Sequence, residues 1–367
     1  MRILHVTKKY VGVIGGDGAV VSALKAAQEA AGDEAWVLTS RCANIHAEPR
    51  LIKIGTPVSP EALDGVGLRR LTSLAILRIS AASHLDQVQP DVVHTHTLDM
   101  GAAIAPAATK RRIPMINTCH ILEADRIGSP LWKRQLELIL INRTRFKNLV
   151  VLTKSCHDAL SLQGIRGVVE VPNGFDALPA LGRPEYNGPV RLVGVGRLED
   201  HKGFDILIDA FAKVEALRQG KSTLTIVGSG SKRQALRNQA ERLNVKVVFT
   251  GAVPPTAMSE VWAATDVYVM SSRFETGPLT FYEAWAAQLA TISARVGFPQ
   301  AVGRHGEDVL LFDPLDVDGL ANAIIMLIDD PSLVTKLGSN GRESVSQLEG
   351  WNKVAAHYRR LYEAALT

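Results

Sequence analysis

What most constrains this chain is an alternation of short, β-branched apolar runs with longer stretches of helical composition, broken once and then resumed. In the first half, residues 2–7, 35–39, 51–54, 91–95, 114–118 and 149–152 read as strands. Residues 19–31, closed by Gly32 as a C-cap signal, and 73–87, stopped by Gln89-Pro90, read as helices between them. The break is 171–189, where Pro172-Asn173-Gly174 makes a turn and Pro179, Gly182, Pro184, Gly188 and Pro189 follow. The alternation then restarts, with strands at 191–195, 222–227, 247–250, 267–270 and 291–294. Helices are expected at 204–218, 232–243, 279–288, 319–328, 332–346 and 351–365. Such alternation means parallel sheets covered by helices. The expected fold class is therefore α/β, with two doubly wound halves of a 367-residue chain joined by one linker.

Composition narrows the function classes. The longest apolar runs, such as 102–108 and 265–270, fall far short of the ~20 residues of a spanning helix. Met1-Arg2 leads straight into a strand pattern, which leaves no room for a signal peptide and gives a cytoplasmic expectation. Cys42, Cys119 and Cys156 lie far apart, form no CxxC pair, and are expected as small hydrophobes. Net charge is +4 but uneven. Residues 1–180 hold 21 Lys/Arg against 16 Asp/Glu (+5), and 181–367 hold 20 against 21 (−1). With aromatics at 5% and no basic helix stripe, a nucleic-acid binder is not expected.

Three loops that follow strands carry the candidate chemistry. Gly15-Gly16-Asp17-Gly18 follows the first strand, where glycines let backbone amides approach a phosphate; it is neither GxGxxG nor a P-loop, and a plain flexible turn accounts for it about as well. The run Gly194-Val195-Gly196-Arg197-Leu198-Glu199-Asp200-His201-Lys202-Gly203 joins a strand to a helix. Its Arg197 can reach a diphosphate as a fork and its Lys202 as a point charge. In Phe274-Glu275-Thr276-Gly277-Pro278-Leu279-Thr280-Phe281-Tyr282-Glu283, a loop carboxylate can accept from sugar hydroxyls and Glu283 from a ribose. Amides at the helix start between them can hold phosphate. An ordinary acidic helix entry is the alternative.

The order Gly15-Gly16, His120, Pro172-Asn173-Gly174, Gly196-Arg197, Lys202-Gly203, Gly228-Ser229-Gly230 and the pair Glu275/Glu283 resembles the retaining glycosyltransferases of family 4, with the GT-B fold. The resemblance runs from the first strand to the last helix and is tightest in the second half. It implies two Rossmann-like domains facing across a deep cleft: 1–180 on the acceptor side, 181–350 binding the nucleotide sugar, and the helix 351–367 packing back onto the first. It implies that Arg197 and Lys202 neutralise the donor diphosphate, Glu275 contacts the transferred sugar, and Glu283 binds the ribose. Gly15 and Gly16 would approach the diphosphate, His120 would lie beside the sugar, and Gly228 and Gly230 near the base. Gly277, Leu279 and Thr280 would supply donor contacts at the helix start. Thr276, where the family usually has Gly, and Pro278, which has no N–H to give, leave the sugar identity open.

The implied activity is transfer of a hexose-type sugar from a UDP- or GDP-sugar to a hydroxyl acceptor, with retained configuration and no metal or other cofactor. A UDP-sugar 2-epimerase of the same fold and a non-catalytic nucleotide-sugar binder are the alternatives. His94-Thr95-His96 lacks neighbouring metal-type ligands and is expected to be hydrogen-bonded. Asp316-Val317-Asp318 resembles a DxD metal motif but precedes a helix, so N-capping is expected. Residues 128–147 combine Leu131, Trp132, Leu136, Leu138, Ile139 and Leu140 with Lys133, Arg134, Arg143, Arg145 and Lys147. The expectation is that the apolar stripe packs into the domain core; the alternative is weak peripheral contact with an anionic membrane, reached for a lipid-linked acceptor.

Overall fold

A computed structural model describes residues 1–10, 16–42, 48–58, 68–123, 129–175 and 188–367. The chain divides into two compact units, Met1–Gly174 with Glu349–Thr367, and Phe175–Leu348.

The first unit runs β1 (Arg2–Thr7), α1 (Gly16–Ala30), β2 (Glu34–Cys42), β3 (Leu51–Val58), α2 (Leu68–Val88), β4 (Val92–Thr95), α3 (Leu98–Lys110), β5 (Met115–Cys119), α4 (Leu131–Thr144), β6 (Asn148–Val151), α5 (Lys154–Ser161) and β7 (Val168–Glu170). The strands form one parallel sheet in the order β3-β2-β1-β4-β5-β6-β7. Val92 to Thr95 are buried without alternation, as a strand covered on both faces requires. In register, His5 on β1 stands beside His94 on β4. Helix α1 begins at Gly16, earlier than residue 19, so Gly16-Asp17-Gly18 is its first turn rather than a free loop. Gly18 lies against Tyr10, whose backbone a Cβ there would meet at 3.1 Å.

The second unit runs β8 (Val190–Val195), α6 (Phe204–Leu217), β9 (Ser222–Val227), α7 (Arg233–Arg242), β10 (Val247–Gly251), α8 (Met258–Ala263), β11 (Val267–Met270), α9 (Leu279–Ala286), β12 (Ala290–Ala294), α10 (Gly297–Val302), β13 (Leu310–Phe312), α11 (Val317–Asp329) and α12 (Pro331–Ser346). Its parallel sheet has the order β10-β9-β8-β11-β12-β13. One apolar core spans this sheet and helices α6, α9 and α11. Asp316 caps α11, its carboxylate accepting from the Gly319 N–H at 2.9 Å, so the DxD-like triplet is a helix start.

The chain ends in α13 (Trp351–Leu366), which belongs to the first unit. Trp351, Val354, Ala355, Tyr358, Tyr362 and Ala365 recur at helical spacing and are buried, mostly against α1. Arg359 anchors the helix on Asp33 at 2.6 Å. Pro172-Asn173-Gly174 meets its start: a Cβ on Gly174 would stand 2.8 Å from the Trp351 indole.

Candidate functional site

In the second unit the strand order reverses between β8 and β11, the place where open parallel sheets bind ligands. Both charged loops leave the sheet there. The β8 loop passes through Arg197, closes a 3-10 turn at Asp200–Lys202, and enters α6 through Gly203. Gly203 has φ +64°, and a Cβ on it would stand 2.0 Å from the Ser271 carbonyl oxygen. Only glycine fits that approach, which holds the β8 loop against the β11 loop.

Further contacts stitch the two loops. The Ser271 hydroxyl donates to the Lys202 carbonyl at 3.1 Å, and the Arg273 N–H donates to the His201 carbonyl at 2.8 Å. The Arg273 guanidinium grips both oxygens of Asp205 at 2.8 and 2.6 Å and also reaches the Asp200 carbonyl. Lys202 and Glu275 are brought together as a result: the ammonium donates to the carboxylate, which also accepts from the Ser272 hydroxyl at 2.9 Å. Arg197 lies on the same loop, half-buried.

The β9 loop completes this edge. A Cβ on Gly228, at φ +144°, would overlap the Gly196 carbonyl oxygen at 1.8 Å, so the turn after β9 must be glycine to lie on the β8 loop. Gly230 packs on the Leu198 backbone. Thr276 is buried, and its carbonyl accepts from the Phe298 N–H at 2.9 Å. Gly277 is half-buried between it and Pro278. Pro278 makes no side-chain cap, so α9 begins at Leu279 and Thr280 with amides aimed at whatever precedes the helix. Thr280 is fixed by the Tyr268 hydroxyl at 2.8 Å. Glu283, three residues further on, has its carboxyl pushed up by burial, an effect opposed by a hydrogen bond from Trp262.

In the first unit, Gly15 lies outside the described residues. Gly16 opens α1 with empty space around its would-be Cβ. His120 follows β5, and its ring stacks on His96 at 5.3 Å. The Nδ1 of His96 lies 3.1 Å from Nε2 of His120, and its Nε2 lies 3.0 Å from Nδ1 of His5. Burial drives all these imidazoles toward the neutral form. His5 is pulled down to about 4, His94 and His96 fall well below the usual histidine value, and His120 falls despite the Asp17 carboxylate. Among the described residues, His5, His94 and His96 form one group whose nitrogens lie within 4.8 Å of one another, close enough for a metal ion. All six ring nitrogens already face hydrogen-bond partners, because His94 is held by Tyr362 at 2.7 Å and Thr118 at 2.8 Å, and His5 by Gln28 at 2.7 Å. The group is a closed hydrogen-bonded cluster rather than an open set of ligands.

Helix α4 departs in part from an expectation: Leu138 packs on the core of the first unit, but other members of the apolar stripe do not. It turns Glu137, Ile141 and Thr144 inward, while Leu131 (74% exposed), Trp132 (61%), Leu136 (48%) and Ile139 (48%) face solvent. The Glu137 carboxylate accepts the Glu123 N–H at 2.9 Å, which fixes that side of the helix inward. Arg143, Arg145 and Lys147 are exposed as well.

Sequence reasoning missed Ser271, Ser272, Arg273 and Gly297. The first three sit in the loop directly after β11, and their signal was that position alone. Gly297 starts α10 so close to Glu275 that a Cβ would stand 2.0 Å from its carbonyl oxygen.

Two family models match the chain: Glycosyltransferase Family 4 over residues 14–177 and Glycosyl transferases group 1 over residues 183–344. Glycogen synthase of Mycobacterium tuberculosis is 29% identical over 397 aligned positions, covering 100% of this chain and 95% of that protein. Among solved structures, sucrose-phosphate synthase from Thermosynechococcus elongatus superposes with a TM-score of 0.83 at 22% identity, covering 99% of both chains. Anabaena HepE, solved with UDP and glucose, gives a TM-score of 0.77 at 19% identity, covering 99% of this chain and 100% of that one.

Proposed function

The chain belongs to the group 1 glycosyltransferases of GT-B fold, and from that we propose that it moves a hexose-type sugar from a UDP- or GDP-sugar to a hydroxyl acceptor, with retention and without a metal ion. The observation that carries this reading is the pairing of Lys202 with Glu275 at the switch point of the second sheet, with Arg197 on the same loop. Breaking a sugar–phosphate bond requires stabilised charge on the departing diphosphate and a firmly held, oxocarbenium-like carbon. Arg197, Lys202 and the α9 amides answer the first need, and one such donor contributes ~2.7–4 kcal/mol where it has been removed from an oxyanion site. Glu275 answers the second by holding the sugar, and His120 keeps the role toward the sugar that the family resemblance gives it. The half-buried Glu283, in contact with Trp262, suits a ribose hydroxyl. No protein nucleophile is assigned; attack on the same face as the departing phosphate accounts for retention.

The second unit is read as the donor-binding half, and the first as the half that receives the acceptor. HepE was solved with UDP and glucose, which favours testing UDP-sugars first. The exposed apolar side chains of α4, flanked by Arg143, Arg145 and Lys147, support peripheral contact of the first unit with an anionic membrane and hence a lipid-linked acceptor.

The test is thermal unfolding with UDP-glucose, UDP-N-acetylglucosamine and GDP-mannose, followed by donor hydrolysis with the ligand that shifts it. A ligand at a hundredfold excess over its Kd stabilises by about 2.7 kcal/mol. A shift with one donor and slow release of its sugar are expected. Formation of an epimer would replace transfer by 2-epimerisation, and no shift with any of the three would overturn the donor reading.

A further inference from the structure

A chain of hydrogen bonds runs from His120 through the first unit to its C-terminal helix. His120 Nε2 meets His96 Nδ1 at 3.1 Å, His96 Nε2 meets His5 Nδ1 at 3.0 Å, and His5 Nε2 meets Gln28 Oε1 at 2.7 Å. Gln28 Nε2 donates to the Tyr362 hydroxyl at 3.1 Å, which meets His94 Nδ1 at 2.7 Å. His94 Nε2 meets Thr118 Oγ1 at 2.8 Å, and Thr118 meets the Tyr358 hydroxyl at 2.8 Å. Gln28, His5, His94, His96 and Thr118 are each at most 1% exposed, so no water competes for these positions.

A neutral imidazole has one N–H and one bare nitrogen. Each contact between two such rings therefore needs a donor on one side and an acceptor on the other, and fixing one ring fixes them all. Burial keeps these rings neutral. The amide of Gln28 is the member that cannot shift its proton: its oxygen only accepts and its nitrogen only donates. With Oε1 toward His5, His5 must carry its proton on Nε2, and so must His96 and His120. The Tyr362 oxygen accepts from Gln28 Nε2 and donates in turn to His94 Nδ1, so the sense of the amide extends to His94 as well. Turning the amide over would reverse every bond and move the proton of His120 to Nδ1.

We propose that the side-chain amide of Gln28, hydrogen-bonded to Tyr362 of α13, determines which nitrogen of His120 carries its proton and leaves its Nδ1 unprotonated. Gln28 is thus a positioning residue 92 positions from the ring it controls. It acts through His5 and His96 and touches no reacting atom. The consequence for turnover rests on the transferase reading of His120; the tautomer itself does not.

The experiment is ¹⁵N NMR of the full chain with labelled histidine, which separates protonated from bare ring nitrogens, on wild type, Gln28→Met and Tyr362→Phe. Wild type is expected to show His120 with Nε2 protonated and Nδ1 bare. Both variants are expected to populate the second tautomer of His120. Gln28→Met is expected to lower kcat about tenfold or more, with donor KM nearly unchanged. A proton on Nδ1 of His120 in wild type would mean that the nearby Asp17 charge overrides the chain, and would overturn the proposal. So would an unchanged His120 pattern in folded Gln28→Met, or in Tyr362→Phe should the former not fold. If the tautomer shifts as expected while turnover stays the same, the control of the ring stands and the assignment of His120 to the transferred sugar fails.

Discussion

Lys202 and Glu275, 73 positions apart in the chain, form an ion pair where β8 and β11 leave the second sheet. Their side chains are only 19% and 12% exposed, so removing either partner leaves a charge that water cannot fully solvate. Under the proposed donor reading, the pair also fixes the ammonium in place before a diphosphate arrives, which reduces the reorganisation that binding would require.

Arg197→Ala and Lys202→Ala are each expected to lower turnover at least about tenfold, because hydrogen bonds to charged groups contribute roughly 1.5–3 kcal/mol. Glu275→Gln should keep the hydrogen bond from Ser272 but lose the charge that holds Lys202, and so should lower kcat more than it raises donor KM. Steady-state kinetics with the donor found by thermal shift checks all three. Near-normal kcat/KM in both cation variants would remove these residues from the diphosphate.

The buried histidines make stability depend on pH in a definite direction. Each is neutral in the folded first unit and has its pKa depressed there, while the unfolded chain titrates near 6.5. Below that value the unfolded chain binds protons that the folded unit refuses, so stability is fully present above about pH 6.5 and falls as pH drops. For His5 the loss runs from about 6.5 down to about 4. The slope is on the order of a kcal/mol per pH unit for each histidine involved. Unfolding followed between pH 7 and pH 5 should show a falling midpoint. A midpoint that rises on acidification would contradict the buried neutral cluster.

The sequence made some of this legible and hid the rest for physical reasons. Strand β11 was readable because a parallel strand covered on both faces is a continuous apolar run, and β1 and β9 were readable from their β-branched residues. Arg197, Lys202 and Glu275 were readable because they occupy loops after strands, but their meeting depends on Gly203 lying against Ser271 across the sheet, a long-range contact without a local pattern. The helical face of 131–144 was legible only in part, because composition does not say which side of a helix meets the core: Leu138 packs inward as expected, but Glu137 also turns inward and Ile139 outward. The histidine chain draws on β1, β4, the turn after β5, α1 and α13, so no window of sequence contains it.

Activity is expected to survive EDTA. Arg197 and Lys202 already place positive charge at the switch point, and Asp316 of the DxD-like triplet is committed to capping α11 while Asp318 pairs with Lys213. The check is sugar transfer measured in chelator and again after adding Mg²⁺ or Mn²⁺. Complete loss restored by either ion would show that the diphosphate needs a metal.

The outward face of α4 predicts binding to anionic membranes. Leu131, Trp132, Leu136 and Ile139 offer the apolar side chains that enter the headgroup boundary, and Lys133 stands 5.6 Å over the Trp132 ring. Arg143, Arg145 and Lys147 add exposed positive charge at the end of the same helix, and each basic residue near such a surface contributes roughly 1 kcal/mol. Flotation with vesicles containing anionic lipid should carry the protein upward at low salt, and less so as salt is raised. Leu131→Ser with Trp132→Ser should weaken flotation while leaving the thermal shift with donor unchanged, because neither side chain is needed by the core. Equal flotation with neutral vesicles would point to apolar insertion alone. Absence of flotation at low salt would leave the face without a membrane role and the acceptor a water-soluble molecule.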